Sequence, residues 1–220
     1  MFQHNDFRQY NRHECIVFRK TDEKFGGLSN MAGGYPIVIN DIHIRTSEAI
    51  YQACRYPHSK EIQEMIISQK SPMTAKMKSK PYHQETRHDW TSVRIDIMRW
   101  CLRLKLACNY KTFSNLLTDT KTMSIVEESH KDQFWGTVAD KNDILLGMNI
   151  LGRLLMELRE AAYKDPENEI KLVPPPSIKN FHLYGKEITT FSFSEFNIQS
   201  QINSKLPARK PTQLNLPFTI

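Results

Sequence analysis

Thr46-Ser47-Glu48-Ala49-Ile50-Tyr51-Gln52-Ala53-Cys54-Arg55-Tyr56 is the stretch around which this 220-residue chain is organised. Thr46 or Ser47 can cap a helix N-terminus by accepting a bond from a backbone N–H of the first turn. Glu48, Gln52 and Arg55 then recur at spacings of four and three, which places them on one helical face. Ile50, Ala53, Cys54 and Pro57 fall mostly on the other side. One short helix therefore groups a carboxylate, an amide and a guanidinium. Glu48 lies in the first turn, where the helix dipole favours its charge; an apolar pocket would push its pKa upward. The same spacing also suits a solvated polar face.

Composition narrows the classes. Hydrophobic residues make up 40% of the chain, ordinary for a globular core, and no apolar run approaches a membrane span. The opening residues Met1 to Asp6 lack the charged-then-apolar plan of a signal peptide. The net charge of +6 suits a nucleic-acid or phosphorylated partner without specifying one. The four cysteines, Cys15, Cys54, Cys101 and Cys108, form no CxxC pair. The expectation is a cytoplasmic protein with free thiols, no structural zinc and no membrane association.

Outward from the central helix, residues 1–12 read as a polar, frayed segment, and Cys15-Ile16-Val17-Phe18 as a short strand. Phe25 to Met31 and Gly33-Gly34 read as glycine-bearing turns, either ligand-approaching or simple punctuation. Tyr35 to Ile44 reads as a hairpin turning at Asn40-Asp41. A helix is expected over Lys60 to Lys70. Another starts at Ser71-Pro72, a cap followed by proline at the first helical position, and carries Lys76 and Lys78. Asp89 is the expected cap of the longest helix, with its stripe at Val93, Ile97, Trp100 or Cys101, Leu104 and Cys108. Thr112 opens a short helix, Met123 to Glu127 a strand, and Asp132 to Gly136 a turn. Leu146 to Tyr163 reads as the last strong helix. Residues 1–163 are assigned to a catalytic domain. Residues 164–220 are assigned to a proline-containing linker and an irregular C-terminal extension with short strand-like pieces at Phe181 to Tyr184 and Ile188 to Phe193.

If Glu48, Asp132, Asn149, Arg55, Lys76 and Trp135 converge, they suit glycosidic-bond hydrolysis. One carboxyl protonates the leaving group, and a partner stabilises the oxocarbenium ion or activates water. A desolvated lysine could instead attack a sugar carbonyl as a Schiff-base nucleophile. A structural reading of each residue remains open: Trp90 can anchor the start of its helix, and Lys76 can be a solvated helix lysine.

The ordered set of motifs resembles the NADAR (YbiA-like) N-glycosidase family. The matching residues are Gly27-Leu28-Ser29-Asn30-Met31, Thr46 to Ala53, Ser71-Pro72-Met73-Thr74-Ala75-Lys76-Met77 and Arg87-His88-Asp89-Trp90. Further on come Val126-Glu127, Asp132 with Trp135-Gly136, and Asn149 to Met156. The resemblance implies a mainly helical α+β, YbiA-like fold with a few short strands. It also implies cleavage of a bond between an amine nitrogen and a ribose carbon, with Glu48, Lys76 and Asp132 as catalytic residues. Relatives linked to riboflavin metabolism commonly read Ser-Glu-His and Gln-Ala-x-Lys, and often carry no lysine in the third motif. This chain has Ala49, Arg55 and Lys76 at those places. In that respect it is similar to the branch paired with DarT-type toxins, antitoxins that remove ADP-ribose from guanine in DNA. The alternatives are an N-glycosidase acting on riboflavin-pathway or other phosphoribosyl amines, and a non-catalytic ADP-ribose-binding module. Ser29, Asn30, Gln52, Arg55, Trp90, Trp135, Gly136, Asn149 and Arg153 are the implied substrate-binding residues. The pyrophosphate needs backbone donors and cations, and the bases need aromatic faces. Metal-independent chemistry with no cofactor is expected.

Gln213-Leu214-Asn215-Leu216-Pro217-Phe218 follows a basic, proline-bearing segment and precedes the last two residues, Thr219 and Ile220. It looks like the short peptide with which bacterial proteins dock on the replication sliding clamp: Gln213 supplies hydrogen bonds, and Leu214, Leu216 and Phe218 enter an apolar groove. The alternative is a tail that packs on its own domain. On the docking reading, a tail peptide binds a purified clamp and Gln213→Ala or Leu216→Ala abolishes binding; equal binding by the variants contradicts it.

Overall fold

The computed structural model describes residues 7–164 and 171–193. Among them, six α-helices and eleven short strands form the α+β fold expected from the sequence. The described part begins with β1 (Arg8–Asn11) and β2 (Cys15–Phe18). For residues 8–11, β1 overturns the frayed reading. It shows only Tyr10 to the interior, so its pattern is silent, and its order comes from antiparallel pairing with the distant strand Ile144–Gly147.

The hairpin forms as β3 (Ile37–Ile39) and β4 (Ile42–Ile44). Asn40 and Asp41 take φ of 50° and 61° at its turn, the left-handed pair that a two-residue hairpin requires. Thr46 then caps α1 (Ser47–Ala53), accepting from Ala49 N at 3.3 Å. Ser59 caps α2 (Lys60–Ile67) and Ser71 caps α3 (Pro72–Ser79). α2 stops short of Lys70 because the chain must leave helical geometry before the Ser71-Pro72 start. Asp89 stands at the N-cap position of α4 (Trp90–Cys108) but makes no capping bond. Its carboxylate is held instead by the Arg87 guanidinium, at 2.5 and 3.0 Å. α5 (Tyr110–Thr118) starts two residues before Thr112.

β5 (Ser124–Glu127) runs parallel to β2. β7 (Ile144–Gly147), between β1 and β6 (Val138–Ala139), takes the first residues of the expected Leu146 helix. α6 (Ile150–Lys164) starts only after Asn149, whose φ of 49° breaks the chain direction. Asn149 is wholly buried. Its amide donates to Ile125 O at 2.9 Å and accepts from Glu127 N at 3.1 Å, fastening the end of β5 to the start of α6.

The segment 171–193 is not peripheral to the core. β8 (Leu172–Val173) pairs with β11 (Phe191–Ser192), and β9 (His182–Leu183) with β10 (Lys186–Glu187). Val173, Phe181, Leu183, Ile188 and Phe191 join the same apolar cluster as Ile50, Ile97 and Leu154. The tail residues Gln213, Leu214, Leu216 and Phe218 lie outside the described residues. No helix among the described residues is long and apolar enough to cross a membrane.

α1 is the centre of this arrangement, packed on α2, α3 and α4. All seven of its residues are buried, which excludes the solvated-face reading. Losing the two Asn149 bonds and forcing alanine into the left-handed region lowers stability by about 2–4 kcal/mol in Asn149→Ala, measured by urea unfolding. Asn149→Gly is spared the backbone strain and loses about 1 kcal/mol less.

Candidate active site

Glu48 is 3% exposed, and burial of an ionised carboxylate is costly unless its oxygens are satisfied. Both are. Gln52 Nε2, one helical turn on, donates to Oε1 at 2.9 Å, and Asn30 Nδ2 donates to Oε2. Asn30 also closes the loop on the helix start: its carbonyl accepts from Glu48 N at 3.0 Å and from Ser47 Oγ at 3.3 Å. Gln52 Oε1 in turn accepts from Arg55 Nη1 and Ser79 Oγ, each at 3.2 Å. Desolvation still raises the Glu48 pKa; the positive charge of Lys76, the two amide donors and Arg55 oppose that rise.

The loop holding Asn30 is itself pinned from below. Lys105 of α4 is wholly buried. Its Nζ donates to Gly27 O at 2.6 Å and Ser29 O at 2.9 Å, and it faces the rings of Tyr35 and Phe113 at 4.5 and 4.4 Å. Burial pulls its pKa down to about 7. Ser29 Oγ accepts from Met31 N at 3.2 Å, so its hydroxyl shapes this loop.

Glu127, at the end of β5, is the second carboxyl of the site. Burial pushes its pKa up to about 8, and the charges of Asp132 and Glu48 add to the rise while Lys76 opposes it. Asn149 positions its backbone, and Gly136 lets the neighbouring loop close on it: a Cβ there would lie 2.7 Å from Glu127 O. Asp132 lies beside Glu127, and its charge acts on that carboxyl. Its Oδ1 accepts from Phe134 N and Trp135 N, both at 3.0 Å, building the turn that presents the aromatic pair.

The aromatic wall is a continuous series. The Arg55 guanidinium lies over Trp90 at 4.6 Å, Trp90 meets Tyr51 at 5.0 Å, and Tyr51 meets Trp135 edge-on at 5.6 Å. Trp135 meets Phe134 at 5.1 Å, and the Arg94 guanidinium covers Phe134 at 3.6 Å. Trp90 is buried inside this series, while Trp135 and both arginines are half-buried. Such stacking fixes ring orientation and keeps cationic groups at the edge of an apolar surface.

The structure thus brings together Glu48, Asn30, Gln52, Arg55, Trp90 and Trp135, with Lys76 exposed on α3 but electrostatically coupled to both glutamates. Asn149 and Gly136 shape the backbone beside Glu127. Arg153 stands half-buried one turn along α6 from Asn149. Glu127, Arg94 and Lys105 were not singled out as site residues from the sequence. Arg94 follows Trp90 by four residues, a same-face spacing that carries a signal, and Glu127 stands in the Val126-Glu127 motif of the family resemblance; Lys105 inside an apolar stripe carries none. Among the described residues, no group of three or more His, Cys, Asp or Glu side chains could hold a metal ion.

A buried, twin-carboxyl centre beside an arginine-capped aromatic wall is the layout of a site for a charged, ring-bearing ligand. The NADAR domain model matches residues 17–162, and the chain belongs to the NADAR family. It is 34% identical over 145 residues to N-glycosidase YbiA of Escherichia coli (strain K12), covering 66% of this chain and 86% of that protein. It is 32% identical over 187 residues to a riboflavin biosynthesis protein of Vibrio vulnificus (strain YJ016), covering 82% of this chain and 48% of that protein, so it spans about half of that relative's length. The NMR structure of E. coli YbiA superposes with a TM-score of 0.58 at 30% identity, over 72% of this chain and 94% of that one.

Glu127 supplies a stability test. Its folded pKa is raised from 4.5 to about 8. Between those values the folded state holds a proton that the unfolded state has released, so this group's contribution is complete below 4.5 and is lost as pH rises towards 8. Glu127→Gln keeps the neutral form throughout. Its stability relative to wild type rises across that interval in urea unfolding; a constant difference contradicts the raised pKa.

Proposed function

We propose that this protein is an ADP-ribosylglycohydrolase that cleaves the N-glycosidic bond between ADP-ribose and guanine in DNA, as antitoxin to a DarT-type ADP-ribosyltransferase. The observation that carries the reading is the charge of Lys76 acting on two carboxyls, the buried Glu48 and the half-buried Glu127. In this family a lysine at that place is often missing from riboflavin-type members. Arg55 and Arg94, at the two ends of the aromatic series, suit the pyrophosphate, and the half-buried Trp135 suits a base.

The chemistry follows from the protonation states. Glu48 accepts two amide hydrogen bonds, which favour its ionised form, and it stabilises positive charge developing at the anomeric carbon. Glu127 is protonated at neutral pH and donates its proton to the departing amine nitrogen as the C–N bond breaks. The anomeric carbon then takes one of two nucleophiles. Water adds directly and gives its proton to a carboxylate. Alternatively, Lys76 first gives a proton to the Glu48 carboxylate, its neutral nitrogen adds to the anomeric carbon, the sugar opens to an imine, and water hydrolyses the imine to return the lysine and free ADP-ribose.

A second reading rests on the relatives: proteins 32% and 33% identical are named for riboflavin biosynthesis. Acting on a phosphoribosyl amine would use the same two carboxyls.

Incubation with a guanine-ADP-ribosylated oligonucleotide and with a phosphoribosyl-amine riboflavin precursor separates the readings. Release of ADP-ribose from the oligonucleotide alone is expected; turnover of the precursor alone favours the second reading, and binding of ADP-ribose without turnover favours a binding module. Glu48→Gln and Glu127→Gln, folded by circular dichroism, lose about a hundredfold or more in kcat. The wild-type rate falls as pH rises through about 8, where Glu127 ionises. Borohydride traps an adduct on Lys76 if the imine forms, and none if water attacks directly.

A further inference from the structure

α3 packs on α1 and α2 and leaves one face open to solvent. Ala75 and Ser79 are its buried residues, and they turn towards α1. Met73 and Met77, one turn apart on the opposite side, are 56% and 57% exposed. Lys76 and Lys80 flank them on one side and Lys78 on the other, all exposed, with Lys70 exposed just before the helix. Residues 65–84 contain four lysines and no aspartate or glutamate. The nearest preceding acid, Glu64, is paired with Lys60 at 3.5 Å. Among the described residues, no ion pair engages Lys70, Lys76, Lys78 or Lys80.

A row of lysines around an exposed thioether pair is a poor surface for water alone. Exposed methionines are adaptable apolar contacts, and unpaired lysines in an acid-free stretch offer charge to a polyanion. The helix also adjoins the catalytic centre: Ser79, on its opposite face, donates to Gln52 Oε1 at 3.2 Å, and Gln52 holds Glu48. A phosphate chain lying along α3 therefore runs alongside the catalytic centre.

We propose that the Met73–Met77 face of α3, with Lys70, Lys78 and Lys80, is the docking surface for the single-stranded DNA that carries the modified base. The lysines contact phosphates flanking the modified nucleotide, and the methionines receive an unstacked neighbouring base. The inference rests on the DNA-directed reading above, because it names how the site holds the polymer rather than the ADP-ribose.

The test uses the full chain and the pair of substitutions Lys78→Glu and Lys80→Glu, neither of which belongs to the catalytic set. Binding of a fluorescent, unmodified single-stranded oligonucleotide is followed by anisotropy across a salt series. The reversal is expected to weaken binding at least about tenfold at low salt and to reduce the log–log salt slope by about 1.4, two phosphates at ~0.7 each. It also raises KM for an ADP-ribosylated oligonucleotide while leaving kcat/KM on ADP-ribosylated guanosine unchanged. Met73→Ser with Met77→Ser weakens oligonucleotide binding without altering the salt slope. Unchanged binding and unchanged KM in the charge-reversed protein overturn the proposal, even where wild type hydrolyses both substrates. Sedimentation that shifts from dimer to monomer on Met73→Ser, with no oligonucleotide binding, assigns the face to a second copy of the chain and also overturns it. Oligonucleotide binding that the reversal abolishes, with no turnover of either modified substrate, supports the surface and refutes the DNA-glycohydrolase reading instead.

Discussion

The closed hydrogen-bond arrangement around Glu48 is the constraint on which the rest of the structure depends. A carboxylate that is 3% exposed persists as an anion only if donors and cations compensate for lost water. Gln52 is in place because it lies one turn along the same helix, and Asn30 is in place because its own carbonyl caps the start of that helix. Gln52 is oriented in turn by Arg55 and Ser79. Removing any of these leaves a polar group buried without its partner, which costs more than the missing bond is worth. The helix must therefore be enclosed on several sides, and α2, α3 and α4 enclose it.

The same logic explains the two least expected residues. Lys105 is a buried amine held by two carbonyls and two aromatic rings. It costs desolvation but sets the height of the Gly27–Ser29 loop, and with it the position of Asn30. Asn149 performs the corresponding service for the other carboxyl. Its side chain replaces missing strand bonds at the end of β5 and leaves Glu127 facing the site. Two glutamates from distant parts of the chain thus meet through one positioning residue each. Burial raises both pKa values; Lys76, the two amide donors and Arg55 oppose the rise at Glu48, whereas the charges of Asp132 and Glu48 add to it at Glu127. An acid–base pair of this kind arises when environments push two carboxyls apart in pKa.

Much of this was legible in the sequence where the signal is local. The Thr46 and Ser71 caps, the Asn40-Asp41 turn and the Glu48–Gln52–Arg55 spacing each depend on residues within a few positions, and all formed as read. β1 and the break before α6 were not legible, because each depends on strands more than a hundred residues away or on one left-handed asparagine. Asp89 and Asp132 show the same limit at single residues. Each is a short acid in a turn, and only tertiary partners decide whether it caps a helix, pairs with Arg87 or builds a turn under Trp135. Glu127 stood in a motif of the family resemblance, but its acid role was not legible, since it comes from desolvation beside Glu48 and Asp132.

The central claim is that Glu127 holds its proton up to a pH of about 8 in the same site where Glu48 accepts from two amide donors. A carbon-detected NMR titration of side-chain carboxyl resonances, with Glu127→Gln and Glu48→Gln assigning the peaks, reads this directly. The account predicts a Glu127 resonance that titrates near 8 and is still protonated when the exposed glutamates have ionised. A Glu127 carboxyl that titrates with the exposed glutamates near 4.5 contradicts it.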